Sequence, residues 1–448
     1  MSKPALEVAD ILRAQGSRFL ERYQHSTSYQ QLKVYRAVLA CRTASLGGHF
    51  DVCSNCGLET GVSFNSCRNR HCPKCQARAR EQWLEARQQE LLPIGYFHVV
   101  FTVPHELNVF ALTSPRRFYD LLFAAASQTL IEVAQNPKRL GGDIGALAIL
   151  HTWGQNLLLH PHLHCVVPAG GLSPDRTRWI HTEQRFLLPL DVLREVFRGK
   201  FLDGLRRLYK KGRLCCEGPA AEYRDRKKFL RLIGPLYRRR WVVYARKAMG
   251  GPEQVLRYLG RYTHLIAISN HRLLDFDQEH VTFRWKDYAH GGKQRTMKLA
   301  AGEFLRRFFL HVLPKGFVRI RHFGLLANRF RRASTFQAKD TSFLSRRFRS
   351  RLATIRPGRS ANCLRRSCYG SPELLDCFHN LGQYICTDRF RDIAICGNRA
   401  EPARSKARAH HFRVIASAPL QASWSGDVNS LRERTGTVPC GYRHSMCA

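Results

Sequence analysis

The segment that leaves this chain least conformational freedom runs from Leu158 to Val167 and reads Leu-Leu-His-Pro-His-Leu-His-Cys-Val-Val. Side chains alternate along a strand, so His160, His162 and His164 share one face while Leu159, Leu163, Cys165 and Val167 share the other. The sequence therefore predicts a sheet with one apolar face and one face carrying two or three imidazoles over a cleft. Pro161 cannot donate to a ladder, which places His160 just before full pairing begins. Imidazole suits a divalent cation, and a cation with open positions can polarise a phosphate.

The surroundings fit a sheet with interrupting helices. Tyr96 to Val103 reads as a strand bounded by Gly95 and Pro104, and further strands are expected at Ile144 to Trp153, Trp241 to Ala245, Leu265 to Ser269, Val281 to Trp285 and Phe317 to His322. The stretches Ile144 to Trp153 and Leu158 to Val167, joined by a short turn, are predicted antiparallel neighbours. Helical patterns fall at residues 5 to 40, Ala77 to Leu92, Pro115 to Val133, Leu190 to Lys211, Pro252 to Thr263 and Gly302 to Leu313. This order argues for an α+β fold with a mainly antiparallel sheet.

Composition adds a partner class. The 448 residues carry 73 Lys and Arg against 34 Asp and Glu, a net charge of +39, which is a nucleic-acid-binding balance. No run approaches the roughly 18 apolar residues of a membrane span, and the opening residues lack a signal-peptide core, so the expected chain is soluble and unsecreted. Of its 16 cysteines, six lie between Cys41 and Cys75 and seven between Cys363 and Cys447.

Cys53-x2-Cys56, fifteen residues, then Cys72-Pro73-Lys74-Cys75 has the spacing of a four-thiolate zinc ribbon. Cys41, His49, Cys67 and His71 are left over and are a candidate second, crossed site; the alternative is that the two cysteines are simply buried. Arg68, Arg70, Lys74 and Arg78 surround the second knuckle and are expected to face DNA phosphates. Farther along, Tyr258 and Tyr262 are i and i+4 on the helix after Pro252, stacked on one face with Arg257 and Arg261 beside them. Two such tyrosines are candidate nucleophiles for DNA phosphodiesters, and buried helical tyrosines are the plainer alternative.

Taken in order, Asn65-Ser66-Cys67-Arg68-Asn69-Arg70-His71-Cys72-Pro73-Lys74-Cys75, the strand from Tyr96, His160-Pro161-His162-Leu163-His164 and Tyr258-Leu259-Gly260-Arg261-Tyr262 closely resemble the two-tyrosine HUH transposases of bacterial rolling-circle insertion sequences. The resemblance covers about residues 10 to 330. It implies a helical and zinc-binding DNA-recognition domain over 1–92, an HUH nuclease domain with an RRM-like sheet over 93–330, and His162, His164, Tyr258 and Tyr262 as metal pair and nucleophiles. It also implies a structural Zn²⁺, a catalytic Mg²⁺ or Mn²⁺, single-stranded element ends and target DNA as partners, and a bacterial cytoplasmic, nucleoid-associated location. No nucleotide cofactor is expected, since the phosphodiester energy stays in the covalent link and no Walker-type GxxxxGK[ST] is present. A third metal ligand is expected among His160, His98, Gln155 and Gln254.

Residues 331–448 depart from the family. Arg-Ser-Ala runs and scattered cysteines without a CxxC replace the expected cysteine pair, so a basic, disordered or frameshifted tail is expected from about Thr335. Two other readings stand beside the transposase. A replication-initiator or relaxase-type nickase shares the chemistry, and a non-catalytic zinc-dependent DNA-binding protein shares the charge and the cysteines.

Overall fold

The computed structural model describes residues 4–53, 59–88, 91–92, 94–182, 188–249, 254–255, 260, 266–287, 290–327 and 412–416. Contacts divide the chain into two compact units, one of Met1–Cys41 and Ser66–Ala407, the other of Arg42–Asn65 and Arg408–Ala448. Most of the expected tail, residues 331–411 and 417–448, lies outside the described residues.

The larger unit opens with two helices, α1 (Val8–Tyr23) and α2 (Tyr29–Ala40). Ser28 starts α2 with a reciprocal cap: its Oγ accepts from the Gln31 amide at 3.3 Å, while Gln31 Oε1 accepts from the Ser28 amide at 2.7 Å. Both helices bury one stripe, Val8, Ile11, Leu12 and Phe19 on α1 and Val34 and Val38 on α2. The smaller unit holds an antiparallel hairpin, β1 (Gly48–Cys53) and β2 (Glu59–Phe64), with the late strand Phe412–Ala416 along β1. Helix α3 (Pro73–Gln88) follows, with Pro73 where a missing N–H costs nothing.

The central sheet has five strands: β3 (Tyr96–Thr102), β4 (Gly145–Trp153), β5 (Leu159–Pro168), β8 (Val243–Met249) and β12 (Ile320–Gly324). Their spatial order is β12-β4-β5-β3-β8, and every neighbouring pair is antiparallel, including the expected pair β4 and β5. A short hairpin of β6 (Gly170–Leu172) and β7 (Trp179–His181) follows β5. One face of the sheet presents Phe97, Val99, Phe101, Ala148, Leu150, Leu163, Cys165 and Val167 to a large core. This core is closed by α5 (Pro115–Gln135), reached through the short α4 (Asn108–Thr113), by α6 (Leu190–Lys210) and by α7 (Arg226–Ile233). The opposite face carries Tyr96, Leu147, Ile149 and Val166, which pack with Val255 and with Trp83 and Leu84 of α3.

A second sheet, β9 (Leu273–Phe276), β10 (His280–Asp287) and β11 (Lys293–Ala300), leads into α8 (Ala301–Phe309). Val281, Phe283, Phe304, Leu305 and Phe308 share one core with Val8, Ile11, Leu12, Phe19, Val34 and Val38, so segments more than two hundred residues apart make one interior. The strand expected at Leu265 to Ser269 is absent from its described part. Ala267 has φ +60°, and the Ile268 amide donates to the Ile266 carbonyl at 2.8 Å, a three-residue turn that drops Ile266 and Ile268 into that core. Their apolarity signalled burial rather than pairing. Among the described residues no helix is long and apolar enough to cross a membrane.

Candidate metal centres

Helix α2 ends at Cys41, whose amide closes the last turn on the Val38 carbonyl. At the other end of the constellation, Cys72 donates its amide to Asn69 and Cys75 to Cys72, a knuckle that α3 continues. These turns gather Cys41, Cys67, Cys72 and Cys75, whose sulfurs all lie within 4.8 Å of one another. Cys75 Sγ is 3.6 Å from both Cys41 Sγ and Cys67 Sγ. Four thiolates at about 2.3 Å from one zinc in a tetrahedron stand about 3.8 Å apart, so this set fits zinc and closes its shell, as a structural site requires. Hydrogen bonds from Cys41 and then Cys67 push the Cys75 thiol far below its ordinary range, and those from Cys67 and Cys72 bring Cys41 to about 7. Hydrogen bonding to the same sulfurs pushes Cys67 and Cys72 up. Bare thiols in this shell divide into ionised and protonated members; a dication stabilises all four as thiolates.

The partition differs from the ribbon reading, which joins Cys72 and Cys75 to Cys53 and Cys56. Cys56 and the Cys53 side chain lie outside the described residues. The crossed second site is not formed as expected, because its Cys41 and Cys67 are in the four-thiol set and its His71 is engaged elsewhere. His71 Nδ1 pairs with Asn69 Oδ1 at 3.1 Å and Nε2 accepts the Leu313 amide at 3.1 Å. Burial, with the charges of Arg70 and Arg319 beside it, lowers its pKa to about 3. Of the expected phosphate-facing residues, Arg68 and Arg78 are exposed. Arg70 donates to the carbonyls of Pro314 and Phe317, and Lys74 pairs with Glu7 at 2.6 Å. Arg70 thereby joins the knuckle to residues 314–317, and Lys74 joins it to the start of the chain.

The second centre lies on the sheet. Residues directly opposite across an antiparallel pair share a face, and the register sets His151 of β4 opposite His162 of β5 and Ile149 opposite His164. His151, His162 and His164 offer ligand atoms within 4.8 Å of one another. His162 Nδ1 is 2.6 Å from the His160 carbonyl and so carries the proton, leaving Nε2 as an acceptor. His164 Nδ1 is 2.8 Å from Nε2 of His98 on β3. With the proton of that bond on His164, two Nε2 lone pairs meet 3.0 Å apart. Ligands about 2.1 Å from one ion at right angles are also about 3.0 Å apart, so these residues fit a shared divalent cation. Trp153 stacks on His151 with ring centroids 4.5 Å apart and holds the third imidazole in place.

Burial keeps the rings of His162, His164 and His98 neutral. Burial lowers His162 to about 3, with the His160 charge adding to it, and lowers His98 to about 4, with Arg246 adding. Burial, followed by His151 and His162, takes His164 well below its ordinary value. Neutral imidazoles present lone pairs at neutral pH, which is the state a cation needs. Among the expected third ligands, His98 backs His164, His160 is exposed and contributes its carbonyl, the Gln155 carbonyl accepts from Arg272, and Gln254 is exposed. His151 was not among them. The signal for it was the alternation Leu147, Ile149, His151, Trp153, which shares a face with the histidines only once β4 is set against β5.

Tyr258, Tyr262, Arg257 and Arg261 lie outside the described residues. Within their segment, Val255 is buried with Tyr96, Leu147 and Ile149 on the histidine face, and a Cβ on Gly260 would stand 2.9 Å from Leu84 of α3.

Comparison with known proteins agrees with the four-thiol centre. A family model described as "Transposase zinc-binding domain" matches residues 11–103, and one described as "Putative transposase" matches residues 145–334. "Putative transposase y4qJ" of Sinorhizobium fredii is 50% identical over 341 residues, covering 76% of this chain and 85% of its own length. The "Transposase for insertion sequence element IS801" of Pseudomonas savastanoi pv. phaseolicola is 30% identical over 305 residues, covering 67% of this chain and 71% of its own. No solved structure matches. With a four-thiol cluster that supports a structural zinc inside the matched zinc-binding region, and with relatives aligned along most of their length, the chain belongs to the transposases of the IS91 and IS801 type.

Proposed function

We propose that this transposase nicks and rejoins single-stranded DNA at the histidine centre, with Tyr258 and Tyr262 as paired nucleophiles on an HUH, RRM-like sheet. The observation that carries the reading is the imidazole trio: three rings, two of them with Nε2 atoms 3.0 Å apart, on the sheet face against which Val255 is buried three residues before Tyr258. A divalent cation held by His151, His162 and His164 supplies charge withdrawal from the scissile phosphate. Nitrogen donors favour Mn²⁺ over the harder Mg²⁺. His98 and the His160 carbonyl fix the two strand-β5 rings, the outer-shell support that such ligands need.

A deprotonated tyrosine oxygen attacks the phosphorus in line, the P–O3′ bond breaks, and the proton goes to the departing 3′ oxygen. The products are a 5′-phosphotyrosine and a free 3′-OH, so the bond energy is retained for rejoining to the target. Arg257 and Arg261 are assigned to favouring the phenolate, and exposed Arg68 and Arg78 to duplex phosphates at the element ends. Such a protein works at the bacterial nucleoid.

The test is incubation with Mn²⁺ and labelled single-stranded oligonucleotides carrying the element's own ends, followed by denaturing electrophoresis. A covalent adduct lost only when both Tyr258→Phe and Tyr262→Phe are present supports the reading. Tight binding without an adduct in the wild-type protein returns the chain to a non-catalytic DNA binder.

A further inference from the structure

Among the described residues strand β8 is an edge of the central sheet, and one of its rows continues the histidine face. Tyr244 lies opposite Val100, which lies opposite His164 on its other side, and Arg246 lies opposite His98. Cross-strand partners share a face, so Tyr244 and Arg246 belong to the same surface as the imidazoles. Two strand spacings separate the Tyr244 row from the His164 row, about 10 Å. The inward neighbour Val243 is buried at 4%, whereas Tyr244 is 49% and Val242 61% exposed among the described residues. A half-exposed ring and an exposed apolar neighbour beside the histidine centre offer a surface on which a flat apolar group can pack.

We propose that Tyr244 is a stacking platform for a base of the single strand whose phosphate is held at the histidine centre, and that Arg246 meets a neighbouring phosphate. The inference rests on the nicking reading above for the position of the strand. Two features favour DNA over a protein partner: the chain's net charge of +39 and the cation next to the ring. Every base has a π-face, so this platform fixes the path of the strand without selecting its sequence. Tyr244 is a positioning residue here, and its hydroxyl plays no part.

The experiment uses full-length, zinc-loaded protein and single strands of the element's own ends carrying one 2-aminopurine at successive positions, with nicking followed in parallel. Stacking predicts that one position is quenched by the wild-type protein. Tyr244→Ala and Tyr244→Leu should lose that quench and raise Kd and KM roughly 5- to 150-fold with kcat little changed, while Tyr244→Phe and Tyr244→Trp retain both. Arg246→Gln should flatten the salt dependence of binding by roughly 0.7 in log–log slope. Retained zinc content and circular dichroism separate these effects from misfolding. A wild-type enzyme that nicks while Tyr244→Ala binds and nicks indistinguishably overturns the platform and leaves the nicking reading intact. Tyr244-dependent quenching without any nicking supports the platform and removes the nicking reading. Loss of nicking in Tyr244→Phe with binding intact would make the hydroxyl a reactant and overturn the stacking role.

Discussion

At the scale of single residues, the two centres differ in how far the sequence disclosed them. His162 and His164 stand in one strand and are readable from alternation alone. His151 is a lone histidine in an apolar run, and only the pairing of β4 with β5 gives it meaning. As a ligand, its replacement by Ala should weaken Mn²⁺ binding more than the roughly 10- to 100-fold expected for His98→Ala, which removes an outer support. Calorimetric titration with Mn²⁺ checks the order, and a His151→Ala protein that binds Mn²⁺ normally would sink the assignment. Buried histidines elsewhere set a pH limit. His71 and His311 titrate near 3 and 4 in the folded chain, both lowered first by burial, against about 6.5 when unfolded. Below pH 6.5 the unfolded chain takes up protons that the folded chain refuses, so their contribution is fully present above pH 6.5. It is lost as pH falls toward 4 and 3, at about 1.4 kcal/mol per pH unit for each ring. Urea midpoints measured between pH 8 and pH 4 should fall below pH 6.5, and substitution of His311 by Gln should reduce the slope.

At the scale of elements, legibility followed the hydrophobic period. Strands β3, β4 and β5 and helices α5 and α6 were readable because each buries a regular stripe or face. Strand β11, Lys-Gln-Arg-Thr-Met-Lys-Leu-Ala, was not, since only Met297 and Leu299 turn toward the core and its partner β10 supplies the reason to be a strand. The described cluster groups the thiols differently for a related reason: a CxxC is visible in sequence, whereas Cys41 reaches the knuckle only because α2 ends beside it. Cys72→Ser should therefore abolish zinc binding by this cluster and lower the thermal midpoint on the order of 10 °C, while Cys53→Ser leaves the cluster's metal bound. Zinc quantification of a set of single variants decides the grouping. Retention of full zinc content in both Cys41→Ser and Cys67→Ser would contradict it. Gly260 adds a steric test, because a side chain there meets the end of Leu84. Gly260→Val should slow nicking without changing zinc content, measured as adduct formed per unit time.

At the scale of the whole molecule, the charge of +39 sets how the protein meets DNA before any base is read. Binding to random single strands should fall steeply with salt, by about 0.7 in log Kd per log unit of salt for each phosphate neutralised. Fluorescence anisotropy between 50 and 200 mM salt gives the number of contacts, and a flat response would remove the electrostatic account. The core shared by α1, α2, β10 and α8 has a different consequence, one in time. Val8, Leu12, Val34 and Val38 leave the ribosome early, but Phe283, Phe304 and Phe308 are made more than two hundred residues later. At about 5–20 residues per second, translation leaves these first helices without their partners for roughly ten seconds to most of a minute. Until then a nascent chain carries thiols ready for metal beside an unfinished interior. A message cut short before α8 therefore yields a protein that cannot close this core, however complete its thiol cluster.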